Sequence, residues 1–149
     1  MILSPHILAS AALSRKIHNI FLLPFAAVIS HFLLDRIPHW DYRVSQMSWL
    51  KRIFFVGTDH FLGFGTVFLI GFFSGWSPAD YYLALISIFF GLLPDGFLVL
   101  YHSFPKNKYL IAYRHFHLNI HSKLRIDFKN GFPQEVAISV IAIILTALL

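Results

Sequence analysis

The sequence predicts an all-α membrane protein: a compact bundle of four to five transmembrane helices, the first helix short, with an interfacial helix between the last two spans. Three observations lead there. Of 149 residues, 57% are hydrophobic and only 13% charged, a more apolar balance than ordinary soluble domains carry. The apolar residues come in stretches approaching the roughly 20 needed to cross a bilayer. Polar, basic segments separate those stretches. A chain of this length has room for a single integral membrane domain, 1–149, and none for a separate soluble catalytic domain. Any chemistry must therefore sit in or against the bundle.

The elements follow in order. Ser4 as N-cap with Pro5 in the first turn predicts a short helix over residues 4–14, about 16 Å long and too short for a comfortable crossing. Ala9-Ser10-Ala11 has the look of a cleavage site, but no Lys or Arg precedes it and Pro5 and His6 interrupt the apolar run, so the segment is expected to be retained. A second helix is expected over 17–36, with Pro24 inside it and Pro38 closing the segment. A third is expected over 52–75, a fourth over 78–102 with Ser77 as cap, and a last one over 133–149. Between the fourth and last lies a polar, basic stretch, 103–131, whose centre, 109–124, suits a helix lying along the membrane surface.

Charge sets the expected orientation. The formal charge is +5, from 12 Lys and Arg against 7 Asp and Glu, a balance that fits membrane topology and anionic lipid rather than nucleic acid, which is not expected as a partner. Arg36, Arg43, Lys51 and Arg52 follow the second helix; Lys106, Lys108, Arg114, Lys123, Arg125 and Lys129 follow the fourth. Those two connections belong on the cytoplasmic side of a prokaryotic inner (plasma) membrane.

Ionisable groups are the anomaly, because a charge inside an apolar span costs about 2.5 to 3.5 kcal/mol on an insertion scale. The chain has nine histidines and no cysteine, which excludes disulfides, thiolate metal sites and cysteine nucleophiles. His6 comes early in the first helix, His31 and Asp35 late in the second, Asp59 and His60 early in the third, and Asp95 and His102 late in the fourth. Helices that alternate in direction bring those positions to one depth. His31 and Asp35, four apart, share a helix face, and His117 and His121 repeat that spacing with His115 adjacent. Imidazoles with carboxylates suit a divalent metal, zinc first, with manganese, iron or magnesium favoured by a larger carboxylate share. Asp127 and Glu135 read as solvated charges, Asp80 as a cap of the fourth helix, and Gly63, Gly65, Gly71 and Gly75 as packing glycines. No nucleotide-cradling GxxxxGK[ST] or GxGxxG motif and no GxSxG elbow is present.

The early histidine in Ser4-Pro5-His6-Ile7-Leu8, the run from Ser30-His31 through Asp35-Arg36-Ile37-Pro38-His39-Trp40-Asp41, and Gly91-Leu92-Leu93-Pro94-Asp95 resemble the small membrane-bound, metal-dependent hydrolase family of bacteria and archaea. Family members share an N-terminal histidine helix, a Leu-Pro-Asp element and a later histidine pair followed by serine, here His117 or His115 with His121-Ser122. Their Pro-Asp-x-Asp-His run is split in this chain between Pro94-Asp95 and Pro38-His39-Trp40-Asp41. His31 to Asp35 with Pro38-His39 is also similar to the zinc-dependent phospholipase C and single-strand nuclease superfamily, which favours phosphoester chemistry by analogy.

The resemblance implies metal-assisted hydrolysis of a phosphoester on a membrane lipid or lipid-linked substrate. His6, His31, Asp35, Asp95, His117 and His121 are the expected ligands, with Asp59 able to extend them to a pair of metals. Asp59 or Asp41 is expected as general base, His39 or His115 as the acid for the leaving group, and Arg114 and Lys123 as phosphate holders. Two other classes compete: a non-haem di-iron membrane oxidase or hydroxylase, and a metal-ion or proton-coupled transporter. The first lacks its His-x-x-His-His box here, and the second calls for polar groups through the full membrane depth.

Overall fold

A computed structural model describes residues 2–40, 47–121 and 126–149. Asp41, Arg43, Ser122, Lys123 and Arg125 lie outside the described residues. The described residues form six helices and no strand: α1 (Leu3–Lys16), α2 (Leu22–Asp35), α3 (Trp49–Phe73), α4 (Pro78–Ser103), α5 (Lys108–Ile120) and α6 (Phe128–Leu148). α3, α4 and α6 are long and apolar enough to cross a membrane. α1 and α2, at 14 residues each, are about 21 Å long.

The second helix is shorter than its apolar composition suggests because Asn19 sets its start. The Asn19 side chain accepts from the backbone N–H groups of Phe21 and Leu22 at 2.9 and 3.1 Å, so the turn forms there and residues 17–18 stay outside the helix. α6 begins five residues before Pro133, where the Asp127 side chain accepts from Asn130 N–H. That earlier start puts Glu135 two turns inside the helix rather than at its beginning. It is fully buried, not solvated.

The short first helix is the centre of the bundle. α1 packs against α4, α6, α3 and α2, and Pro5, His6, Ile7, Leu8, Ser10, Ala11, Ala12 and Ser14 are all buried along it. Small residues make that possible by letting neighbouring backbones approach. The Ser87 hydroxyl of α4 donates to the Ser10 carbonyl at 2.7 Å, and Gly91, one turn on, leaves room for the Ser10 side chain. On the α3 side, a Cβ at Gly63 would lie 2.7 Å from Ile7 Cδ1. Ile7, Leu8 and Ala11 meet Val67, Ala84, Ile88 and Ala142 in one apolar core. The large apolar side chains Phe25, Phe61, Phe68, Phe72 and Phe89 face outward, the reverse of a water-soluble protein and suited to lipid contact.

The glycines divide by role. Gly71 packs beneath Tyr81 and Trp76, whereas Gly65 has nothing near its α-carbon face. Gly75 ends α3: its φ is +66°, the Trp76 N–H returns to Gly71 O at 2.8 Å and the Gly75 N–H to Phe72 O at 3.4 Å. This is the paired-bond C-terminal motif that calls for a left-handed residue.

α4 starts at once, with Ser77 and Asp80 forming a reciprocal capping box and Pro78 in the first turn. Arg15, at the end of α1, reaches Asp80 at 2.8 Å and lies 4.9 Å from the Trp76 ring centroid. Thus α1 runs antiparallel to α4 and parallel to α3, and its two ends lie at opposite ends of the bundle. Asp80→Ala is expected to lower the melting temperature in detergent through a loss of about 1 kcal/mol, typical of a helix cap, while leaving bound metal unchanged. An unchanged melting temperature would show that this corner does not stabilise the bundle.

Candidate metal centre

At the other end of α1 the helix directions gather histidines and aspartates from four helices. Asp35, the last residue of α2, lies at the centre. Its Oδ2 is 3.1 Å from His31 Nε2 and 3.3 Å from His117 Nε2. Its Oδ1 is 3.3 Å from His6 Nε2 and 3.9 Å from His121 Nε2. Asp95 Oδ1 of α4 completes one side, 3.8 Å from both His31 Nε2 and His117 Nε2. Two ligand groups are formed, His31/Asp35/Asp95/His117 and Asp35/His39/His121, each with its donor atoms within 4.8 Å of one another. Donor atoms held about 2.0 to 2.1 Å from a tetrahedral ion stand about 3.3 Å apart. The first group's contacts, 3.1 to 3.8 Å, bracket that value.

The hydrogen bonds around the cluster determine which nitrogen carries a lone pair. Tyr113, one turn before His117 on α5, donates its single hydroxyl proton to Pro94 O at 2.8 Å. Toward His117 Nδ1, 3.3 Å away, the hydroxyl can then only accept. Neutral His117 is therefore protonated on Nδ1 and turns an Nε2 lone pair toward Asp35 and Asp95. His39 Nδ1 lies 2.7 Å from Ile37 O and must donate to it, which places the lone pair of the neutral ring on Nε2. Burial pushes the His39 pKa down to about 4, so this ring is neutral near pH 7. Burial and the neighbouring carboxylates of Asp95 and Asp35 raise the Tyr113 pKa, keeping the hydroxyl protonated in its donor role.

His6 and His31 carry the other sign of a cation site. Their rings stack with centroids 4.3 Å apart and both residues are 1% exposed. Although each Nε2 approaches Asp35, all four ring nitrogens are buried without a hydrogen bond of acceptable geometry. Each such orphaned polar group costs about 1 to 3 kcal/mol. The His117 Nε2 lone pair, 3.3 Å from Asp35 Oδ2, is repelled by that oxygen without positive charge between them. A divalent ion supplies that charge, satisfies the nitrogens and balances the two carboxylates. The residues present fit a metal; the donor set, imidazole and carboxylate without sulfur, suits zinc, manganese or iron.

The structure thus brings together six expected ligands, His6, His31, Asp35, Asp95, His117 and His121, and adds His39. Asp59 stands apart with another task. Its carboxylate accepts from Leu3 N–H at 2.5 Å and Ser4 N–H at 3.1 Å, and from the Ser4 hydroxyl. Ser4 Oγ also bonds Asp59 O at 3.0 Å. The side chain that caps α1 therefore comes from α3, and the residue in the N-cap position is Ile2 rather than Ser4. Four open N–H groups and the positive end of the helix dipole explain why a carboxylate stands there. Because His6 lies one turn into α1, Asp59 also sets where that imidazole sits.

His115 is exposed and belongs to neither ligand group among the described residues. Arg114 lies over the Tyr101 ring, 5.2 Å from its centroid, one helical turn from His117. His60 turns its Nδ1 back to Val56 O at 2.8 Å. His18 and His102 are exposed. Tyr113 is the site residue that sequence reasoning passed over, although its position four before His117 placed it on the ligand face. Tyr113→Phe is expected to weaken metal binding about 10- to 100-fold, the usual consequence of losing a partner behind a ligand. Isothermal titration of metal-free protein would measure it, and an unchanged affinity would remove Tyr113 from the site.

No protein-family model, curated protein or solved structure matches this chain.

Proposed function

We propose that this protein is a membrane-embedded, metal-dependent hydrolase that cleaves a phosphoester of a lipid or lipid-linked substrate at the cytoplasmic membrane face. The observation that carries the reading is the uneven exposure of the cluster. The His6, His31 and Asp35 side chains are at most 3% exposed, whereas those of Asp95 and His121 are 28% and 25% exposed. A structural ion is closed on all sides; a catalytic one keeps a side open for water or substrate. Three helices able to cross a membrane, with apolar side chains around them, support a substrate that arrives within the lipid layer. With α2 and α1 tilted through a thinned bilayer, four to five helices would cross.

Zinc is the first choice of ion, and manganese, iron and magnesium are the others. When bound it would lower the pKa of a coordinated water and offset charge on phosphoryl oxygen. His31, His117, Asp35 and Asp95 would hold it, and Tyr113 keeps His117 in the ligating tautomer. Arg114, one turn from His117, is the described cation placed to hold phosphate. Asp59, engaged at α1, and the exposed His115 take no part in this arrangement. The excess of Lys and Arg in the connections after α2 and α4 supports a cytoplasmic site.

The test is phosphate release from phosphatidate or a polyprenyl phosphate in mixed micelles. Release should require divalent metal, stop with chelator, and disappear in His31→Ala and Asp35→Ala proteins that retain their helical content. Unchanged turnover in both variants overturns the proposal. Protein that holds iron alone and consumes oxygen would instead establish the oxidase reading.

A further inference from the structure

We propose that the cluster takes two divalent ions, bridged by the Asp35 carboxylate. This rests on the metal-dependent reading above and specifies the kind of centre. Asp35 presents its oxygens to different partners: Oδ2 to His31 and His117, Oδ1 to His6 and His121. The two ligand groups have Asp35 in common and nothing else. One ion suits Oδ2 with His31, His117 and Asp95; the other suits Oδ1 with His39 and His121, and His6 borders it.

Evidence for a cation on the Oδ1 side is independent of the first group. His6 Nε2, fully buried and without a hydrogen bond, faces Oδ1. His39, held by Ile37 O through Nδ1, has its remaining lone pair on Nε2, and its ring packs against His121 with centroids 4.7 Å apart. A carboxylate that bridges through both oxygens suits ions about 3.5 to 4 Å apart, the separation used to clamp a phosphoryl group.

Charge then specifies the substrate class. Two dications against Asp35 and Asp95 leave a local excess of two positive charges, so the centre would select an anionic ester over a neutral amide or carboxylic ester. The second ion has fewer protein ligands than the first, and it should bind more weakly.

Manganese gives a direct readout. Full-length protein in detergent, stripped with chelator and titrated with Mn2+ alone, should take up two ions per chain in two steps. Its electron paramagnetic resonance spectrum should change from an isolated-ion signal at one equivalent to an exchange-coupled one at two. The variant His39→Ala/His121→Ala should bind one ion and show no coupling. Wild-type saturation at one equivalent, or two ions without coupling, would refute the bridged pair and leave the single-metal reading standing. No uptake at all would refute both. The wild-type titration decides the matter even if the double variant does not fold.

Discussion

Asp35→Asn is expected to lose both metal and turnover, with hydrolysis falling by about 100-fold or more, beyond the 10- to 100-fold typical of residues behind the ligands. The substitution keeps the shape of the side chain and removes the charge that His6, His31, His117 and His121 surround. An amide offers one oxygen and no net charge, so the Asp35/His39/His121 group loses its carboxylate and the other group is left with Asp95 alone. The helical content should survive, because Asp35 is the last residue of α2. Metal content and turnover that match the unaltered protein would contradict the assignment of Asp35 to the centre.

Gly131→Ala is expected to destabilise the fold by about 1 to 3 kcal/mol, as overpacking does where the opposing atoms cannot swing away. The first turn of α6 passes so close to the chain after α2 that a Cβ at Gly131 would lie 2.7 Å from Trp40 Cβ and 2.9 Å from Trp40 Cα. Relief requires backbone movement next to His39. The variant should therefore melt at a lower temperature and lose the His39 side of the cluster, while His31 and His117 remain in place. Gly65→Ala is the control, since nothing lies within 4 Å of the added carbon and alanine favours a helix by up to about 1 kcal/mol. Equal melting temperatures for both variants would show that the Trp40 approach is not tight.

These two residues also show what sequence reasoning could reach. The His31/Asp35 pair was legible because spacing on one helix predicts a shared face, and the cluster followed from assuming alternate helix directions. The end of α3 and the start of α4 were legible to within two residues, because the Gly75 turn and Ser77-Pro78 are local signals. Asp59 was not legible. A carboxylate in an apolar helix reads alike whether it serves a metal or another helix's open N–H groups, and only tertiary structure reveals α1 beside it. The central position of α1 was hidden for a related reason, since shortness predicts only an incomplete crossing while its Ser and Ala residues permit contact on every side. His115 could have been separated from His117 and His121 by helix geometry, since residues two apart do not share a face. Glu135 was misplaced because the start of α6 was set at Pro133 instead of the Asp127 cap. His39 lay beyond Pro38, where helix periodicity gives no direction.

The measurement that bears most directly on the account is X-ray absorption at the metal edge of zinc-loaded, full-length protein. Zinc held by these side chains should show a first shell of nitrogen and oxygen at about 2.0 to 2.1 Å, with the outer-shell scattering of several imidazole rings that diminishes in His31→Ala. A shell of oxygen alone, without imidazole scattering, would place the ion somewhere else and contradict the centre described here.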